Sequence, residues 1–269
     1  MLRVPTTTAG VDQAAERLLD AADTGTPCAP VRDLIGPDDV AAAYAVQRRL
    51  TARRTAAGAR TVGRKIGLTN PTVQAQLGVA SPDFGVLFDD MPVEHDGTVA
   101  AGRLLQPRIE AEVAFVLGAD LDGPDLTDAD VRAAVDHQRA ALEIVDSRIA
   151  GWDITFGDTV ADNGSSGLYV LGPEQVGLDR TNPVDVTMTL RRGEETVSSG
   201  AGEACLGHPL AALAWLARTA RDLGEPLRAG EVVLSGALGP MVPVTPGDAY
   251  SAHITGLGDV AVTFAKETP

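Results

Sequence analysis

Apolar and polar positions along the chain fall into two regimes. Residues 11–24 (VDQAAERLLDAADT) and 37–58 (PDDVAAAYAVQRRLTARRTAAG) are rich in alanine and leucine, strong helix formers, and run up to Gly25 and Gly58. Pro37 suits a first helical turn, and Asp38 and Asp39 complement its positive end. Together they predict a helical N-terminal segment over residues 1–60. Beyond it the pattern shortens and alternates. Strands are expected at 61–68, 109–117, 140–148, 167–171, 184–191, 196–199, 231–235, 249–255 and 260–265. The start of 140–148 also reads as helix. Turns are expected at 192–195, at Pro246-Gly247-Asp248 and around 256–259, where proline and glycine supply the dihedrals a turn needs. Three later helical stretches interrupt the strands. One is a turn at 71–78 closed by Gly78, one is 126–139 behind a Thr127-x-x-Asp130 cap, and one is 208–223 with Pro209 at its start. Helices and strands mix without a regular βαβ rhythm, so the fold class is α+β rather than doubly wound. The rest of the chain, 61–269, reads as one larger unit.

Composition narrows the partners. The formal charge is −15 and the basic runs are short (Arg48-Arg49, Arg53-Arg54, Arg191-Arg192), so no clustered basic face is available for nucleic acid. No run is long and apolar enough for a membrane span, and residues 1–22 lack the apolar core of a secretory signal. Cys28 and Cys205 are too few for a disulfide framework, and a cytoplasmic setting is the simplest reading. An anionic substrate would need a locally positive spot, and the chain has only two lysines, Lys65 and Lys266.

The informative segment is Pro107-Arg-Ile-Glu110-Ala-Glu112-Val-Ala-Phe-Val-Leu117. On a strand, Glu110 and Glu112 share a face about 6.6 Å apart, opposite Ile109, Ala111, Val113, Phe115 and Leu117. Ala114 and Val116 continue the glutamate face, which turns apolar. Two readings stand: a solvated acidic strand face, or a pair of carboxylates whose repulsion is relieved by a hard divalent cation. Glu143, between Leu142 and Ile144, is a lone acid in an apolar stretch and needs a partner or an ion. Spacing does not connect it to the other two. Lys65 lies between Gly63 and Gly67, which suggests close backbone packing, although a surface lysine reads equally well. Asp83 in Ser81-Pro-Asp-Phe-Gly85 fits a turn or a site. The polar stretch with Asp158, Asp162, Asn163, Ser165 and Ser166 fits a loop or a wall of hydroxyl and amide donors. No serine-hydrolase elbow, phosphate-binding loop or H-E-x-x-H motif occurs. A Cys205–His208 thiol–imidazole pair is conceivable, but His208 before Pro209 also suits a helix cap.

Several long runs resemble one family nearly end to end. They include APVRDLIG (29–36), GRKIGLTNPTVQAQLGV (63–79), PDFGVLFDDM (82–91), LQPRIEAEVAFVL (105–117), ALEIVDSRIAGWDITFGDTVADN (141–163), CLGHPLAALAWLAR (205–218), LGEPLRAGEVVLSGALGPMVPV (223–244) and GDAYSAHITGLGDVAVTF (247–264). The chain resembles the 2-hydroxypenta-2,4-dienoate (2-keto-4-pentenoate) hydratases of aromatic meta-cleavage catabolism, in the fumarylacetoacetate hydrolase superfamily. The resemblance implies a mixed β-barrel or β-roll core behind the helical N-terminal segment. It implies Mg2+ or Mn2+ on Glu110, Glu112 and Glu143, with Lys65 and Asp83 as catalytic groups. Ser165 falls in the family's D-N-A-S stretch as a substrate contact, with Gly164 replacing the alanine. The implied substrate is a small 2-oxo acid, and the implied assembly a homo-oligomer that associates with neighbouring pathway enzymes. Within the superfamily, 4-oxalocrotonate decarboxylase is the alternative; SGALGPMVPV and CLGHPL resemble the hydratase branch. A non-catalytic acidic metal-binding module is the alternative from another class.

Overall fold

The computed structural model describes residues 7–70, 74 and 81–266. Helix α1 (Thr8–Thr24) starts at Thr7, whose hydroxyl accepts from the Gly10 amide, and stops at Gly25 in the left-handed region. A short α2 (Arg32–Ile35) leads to α3 (Val40–Ala56). The carboxylate of Asp39 caps α3 by accepting from the Ala42 amide, so Pro37 and Asp38 lie outside the helix instead of forming its first turn. Side-chain capping at Asp39 satisfies an otherwise orphaned amide, which proline at 37 does not. The apolar faces of these helices meet Ile149, Val160 and Ala161 in one hydrophobic cluster. They are therefore packed onto the remainder of the chain. Gln47 of α3 reaches further and donates to the carbonyls of Phe84 and Val160.

Two sheets follow. The larger contains β1 (Thr61–Gly67), β2 (Asp83–Phe88), β3 (Pro92–Val93), β5 (Arg108–Leu117), β6 (Val135–Val145), β7 (Ser166–Leu171), β10 (Val232–Ala237) and β11 (Val242–Pro243). Its order is β2-β1-β10-β5-β6-β7-β3, with β11 also pairing β5, and it curls into a half-barrel. The smaller runs β4 (Gly97–Val99), β13 (Gly258–Phe264), β12 (Ala249–Ile254), β8 (Thr187–Arg192) and β9 (Glu195–Ala201). Pairing is mixed: β1/β10, β3/β7 and β4/β13 are parallel and the other pairs antiparallel. Ile109, Ala111, Val113 and Phe115 of β5 are fully buried in an apolar cluster that also holds Leu190, Tyr250, Ala252 and Val260 of the smaller sheet. Mixed sheets with separate helices are the expected α+β class and β-rich core.

The expected helix 126–139 divides. Helix α4 (Asp128–Ala134) has the Thr127–Asp130 capping box, but Val135 is already extended and residues from it onward belong to β6. Gln138 pairs Phe115 and Arg139 pairs Ala114, so a ladder with β5 overrides local helix propensity. The helical alternative for the start of 140–148 is overturned by the same ladder. The turn expected at 71–78 lies outside the described residues apart from Gln74. A further helix, α5 (Phe156–Ala161), forms where a loop or a site wall was expected, and α6 (Pro209–Asp222) matches the expected 208–223. Among the described residues no helix is long and apolar enough to cross a membrane.

Candidate active site

β5 is central in its sheet, between β10 and β6, and nearly every residue on both its faces is buried. This excludes the solvated-face reading of Glu110 and Glu112, which are 9% and 0% exposed. The register of β5 against β6 places Glu143 directly opposite Glu110. The three side chains converge: one carboxylate oxygen from each lies within 4.8 Å of the others. Ligand oxygens of a hard divalent ion sit at about 2.0–2.6 Å, so two of them on one ion are at most roughly twice that apart. Among the described residues, Glu112 Oε1 and Glu143 Oε2 are buried without a hydrogen-bond donor, and Glu143 Oε1 has only the Lys65 ammonium at 3.3 Å. A buried carboxylate left this way is costly unless a cation meets it. The all-carboxylate set suits Mg2+, Mn2+ or Ca2+ better than a softer metal. The residues present therefore fit a hard divalent ion.

Two further charged groups share this face. Lys65 of β1, 3% exposed, places Nζ 3.3 Å from Glu143 Oε1. Asp83, the first residue of β2, is fully buried. It pairs in register with Gly67, two residues along β1 from Lys65. The turn reading of Asp83 is thereby replaced by a strand position. A side chain at Gly67 would place its Cβ 2.1 Å from Asp83 Oδ1 and 3.4 Å from Lys65 Nζ, so this glycine makes room for the pair. Gly236 does similar work on the other side. Its φ of +108° turns its amide to donate to Glu112 Oε2 at 2.8 Å.

Electrostatics follow from this crowding. Burial, then repulsion from Glu143, pushes the Glu110 carboxyl up to about 8. Burial first, then Glu143 and Glu110, drives Glu112 well above the usual carboxylate range. Glu143 is also raised by burial, against the pull of Lys65. Burial raises Asp83, while Lys65 and the Gly67 amide oppose it. Burial works to lower Lys65, yet the four carboxylates around it, Glu143 foremost, raise it overall, so it remains an ammonium. When all are ionised, Lys65 offsets one of the four surrounding carboxylates, and a divalent ion would offset two more.

The polar stretch after β6 braces this arrangement. The Asp158 carboxylate accepts from the amides of Val31 and Arg32 and caps α5. Fully buried Asp162 pairs with Arg148 at 2.6 Å. Asn163 bonds both the amide and the carbonyl of Val86, which fixes the turn over β2. A Cβ on Gly164 would lie 3.2 Å from Lys65 Cδ, so this turn packs on the lysine. The Ser165 hydroxyl donates to Asp162 Oδ2 at 3.2 Å, and its amide donates to the Asp162 carbonyl. Only its acceptor lone pairs are left for another partner. The Cys205–His208 idea is not supported: the thiol, pushed up to about 12 chiefly by burial, donates to the Ser235 carbonyl. His208 instead caps α6 by accepting from the Leu210 amide.

Comparison with known proteins agrees with this architecture. A family profile described as fumarylacetoacetate (FAA) hydrolase C-terminal matches residues 60–265, and the chain belongs to that family. It is 52% identical to TodF product hydratase of Pseudomonas putida over 96% of this chain and 97% of that protein. It is 54% identical to 2-keto-4-pentenoate hydratase of Paraburkholderia xenovorans over 94% of each. A solved structure of 4-oxalocrotonate decarboxylase from Pseudomonas putida G7, complexed with magnesium and adipate, matches with a TM-score of 0.92 at 34% identity, covering 97% of this chain and 100% of that one.

Proposed function

We propose that this protein is a metal-dependent hydro-lyase that adds water to 2-hydroxypenta-2,4-dienoate, giving 4-hydroxy-2-oxopentanoate in aromatic meta-cleavage catabolism. The observation that carries this reading is identity above 50%, nearly end to end, to hydratases of this class, joined to a buried triad of converging carboxylates. Glu110, Glu112 and Glu143 would hold Mg2+ or Mn2+. When bound, the ion supplies Lewis-acid charge to the carboxylate and 2-oxygen end of the substrate.

The chain's own residues do the proton work. The dienol first loses its hydroxyl proton and gains one at C5, becoming the conjugated 2-oxo-3-enoate, whose C4 is electrophilic. Hydroxyl then adds at C4 and a proton goes to C3. Asp83 accepts the proton of the incoming water: it is fully buried beside Lys65, and its burial-raised pKa brings a carboxylate closer to the range useful for a base. Lys65, an ammonium among the carboxylates, offsets one of their charges and relays toward C3 the proton that Asp83 takes from water. Ser165 contacts the substrate through its acceptor side, since its hydroxyl proton is held by Asp162.

The same reading assigns residues 1–60 as a helical segment and 61–269 as the catalytic unit. It places the protein in the cytoplasm as a homo-oligomer beside the enzymes that precede and follow it. The test is loss of the dienol chromophore with Mg2+, with Mn2+ and with EDTA, while CO2 is monitored. Metal-dependent loss without CO2 is expected. Stoichiometric CO2 would identify a decarboxylase, and no turnover with either ion would leave a metal-binding module. Asp83→Asn retaining near-normal turnover would remove Asp83 from its role.

A further inference from the structure

Asp83 is the first residue of β2, and β2 is an edge of the larger sheet, paired along one side with β1. An edge strand turns the N–H and C=O groups of alternate residues away from its neighbour, and buried ones need partners. Side chains supply them here. The Gln47 amide, on α3 and 3% exposed, donates to the Phe84 carbonyl at 2.7 Å and to the Val160 carbonyl of α5 at 3.2 Å. The Asn163 side chain takes both the amide and the carbonyl of Val86. Tyr44 lies one turn before Gln47 on the same side of α3 and stacks on the Phe84 ring, with centroids 5.0 Å apart. Trp215 of α6 meets that ring edge-on at 6.5 Å. Phe84 is therefore gripped both by its carbonyl and by its ring.

This grip bears on Asp83. Successive strand residues face opposite sides, so Phe84 points to the aromatic rings of the helices and Asp83 to Lys65. The ladder with β1 ends at the Gly67–Asp83 pair, which leaves Asp83 with strand pairing on one side of it along the chain and none on the other among the described residues. Its place is then set by the peptide that joins it to Phe84. The Tyr44 hydroxyl stands in the field of the Asp83 carboxylate: burial first, and then that charge, push it above the ordinary tyrosine value. Tyr44 also packs against both hydrophobic clusters, that of the N-terminal helices and that of the sheets.

We infer that Gln47, with Tyr44 beside it, is a positioning residue for Asp83: α3 completes the open edge of β2 and so holds the carboxylate at the strand's end in place. This rests on the function proposed above, in which Asp83 takes the proton of the incoming water. The N-terminal helices then serve the reaction although they supply none of the residues assigned to it.

The test is Gln47→Met, which keeps the length of the side chain and removes its donors, in the Mg2+-loaded full chain. Turnover of the dienol should fall roughly ten- to hundredfold in kcat, the scale on which a shift of about 1 Å at a reacting group is felt. KM, and Mg2+ affinity by calorimetry, should stay near the parent values. In an Asp83→Asn background the same substitution should cost no further residual turnover, because a residue that acts through Asp83 has nothing left to position. An equal loss in both backgrounds, or a loss shared among kcat, KM and Mg2+ affinity, would overturn the assignment. If Gln47→Met does not fold, Tyr44→Leu, which removes the stack on Phe84, carries the same cycle. A crystal structure of the folded variant gives a readout without turnover: the Asp83 carboxylate should be displaced from its place beside Lys65, and an unmoved carboxylate would overturn the assignment. Absence of dienol turnover in the parent would instead count against the hydratase reading, so the two failures are separate observations.

Discussion

Replacing Glu110 with glutamine should raise the stability of the metal-free protein and remove its response to metal. Glu110 is pushed up to about 8 in the folded chain, chiefly by burial and then by Glu143, against an ordinary value of 4.5. A folded-state carboxyl that holds its proton more tightly than the unfolded chain stabilises fully below the unfolded pKa. That contribution is lost as pH rises through the folded value. Between pH 4.5 and 8 the metal-free protein therefore weakens. At pH 7 the cost is 2.5 units at 1.36 kcal/mol each, about 3 kcal/mol. At pH 5 it falls below about 1 kcal/mol by the same conversion. Glutamine carries no charge and escapes this cost. Urea denaturation followed by circular dichroism in EDTA should place Glu110→Gln up to about 3 kcal/mol above the parent at pH 7, with the gap nearly closed at pH 5. Adding Mg2+ at a hundredfold excess over its dissociation constant should stabilise the parent by about 2.7 kcal/mol and the variant much less. A variant less stable than the parent in EDTA at pH 7 would refute the claim that the triad is strained without an ion.

Three further outcomes follow from the same geometry. Lys65→Met should lower kcat by roughly 10² or more in the dienol assay, because a charge facing four carboxylates is removed; near-normal turnover would exclude it from proton transfer. Gly67→Ala puts a methyl 2.1 Å from Asp83 Oδ1, so the carboxylate must move; kcat should drop on the order of 10²-fold while the thermal midpoint changes little, and unchanged kcat would show that Asp83 does not need its position. Asp162→Asn leaves Arg148 without its buried counter-ion and should cost about 3–5 kcal/mol in a denaturation curve; a loss below about 1 kcal/mol would show that the brace carries little load.

The period-2 pattern made the shared face of Glu110 and Glu112 readable, because strand alternation is local. Glu143 could not be joined to them that way. Its place opposite Glu110 depends on the register between β5 and β6, which no single segment encodes. The helix expected to 139 stops at Ala134 for the same reason: cross-strand partners, absent from local propensity, claim residues 135–139. Asp83 read as a turn residue because Ser-Pro-Asp is common in turns, whereas its strand role comes from pairing with β1. The glycines beside Lys65 did signal close packing, and Gly67 bears that out. Gly236 gave no comparable signal, since its service to Glu112 comes from a strand more than a hundred residues away in the chain. The long matching runs bridged these gaps by supplying the non-local information as a resemblance.

The β5–β6 register has a consequence for how the chain reaches its native state. A slip of one residue would turn every side chain of β6 to the opposite face. Glu143 would then point into the apolar layer between the two sheets, away from Lys65, and Ile144 would take its place beside Glu110. Such a misaligned pair would bury an acid with no cation in reach, a penalty far above what an aliphatic strand would suffer for the same error. Glu143 thus distinguishes the two alignments of the central strands: only the native one brings it to Lys65.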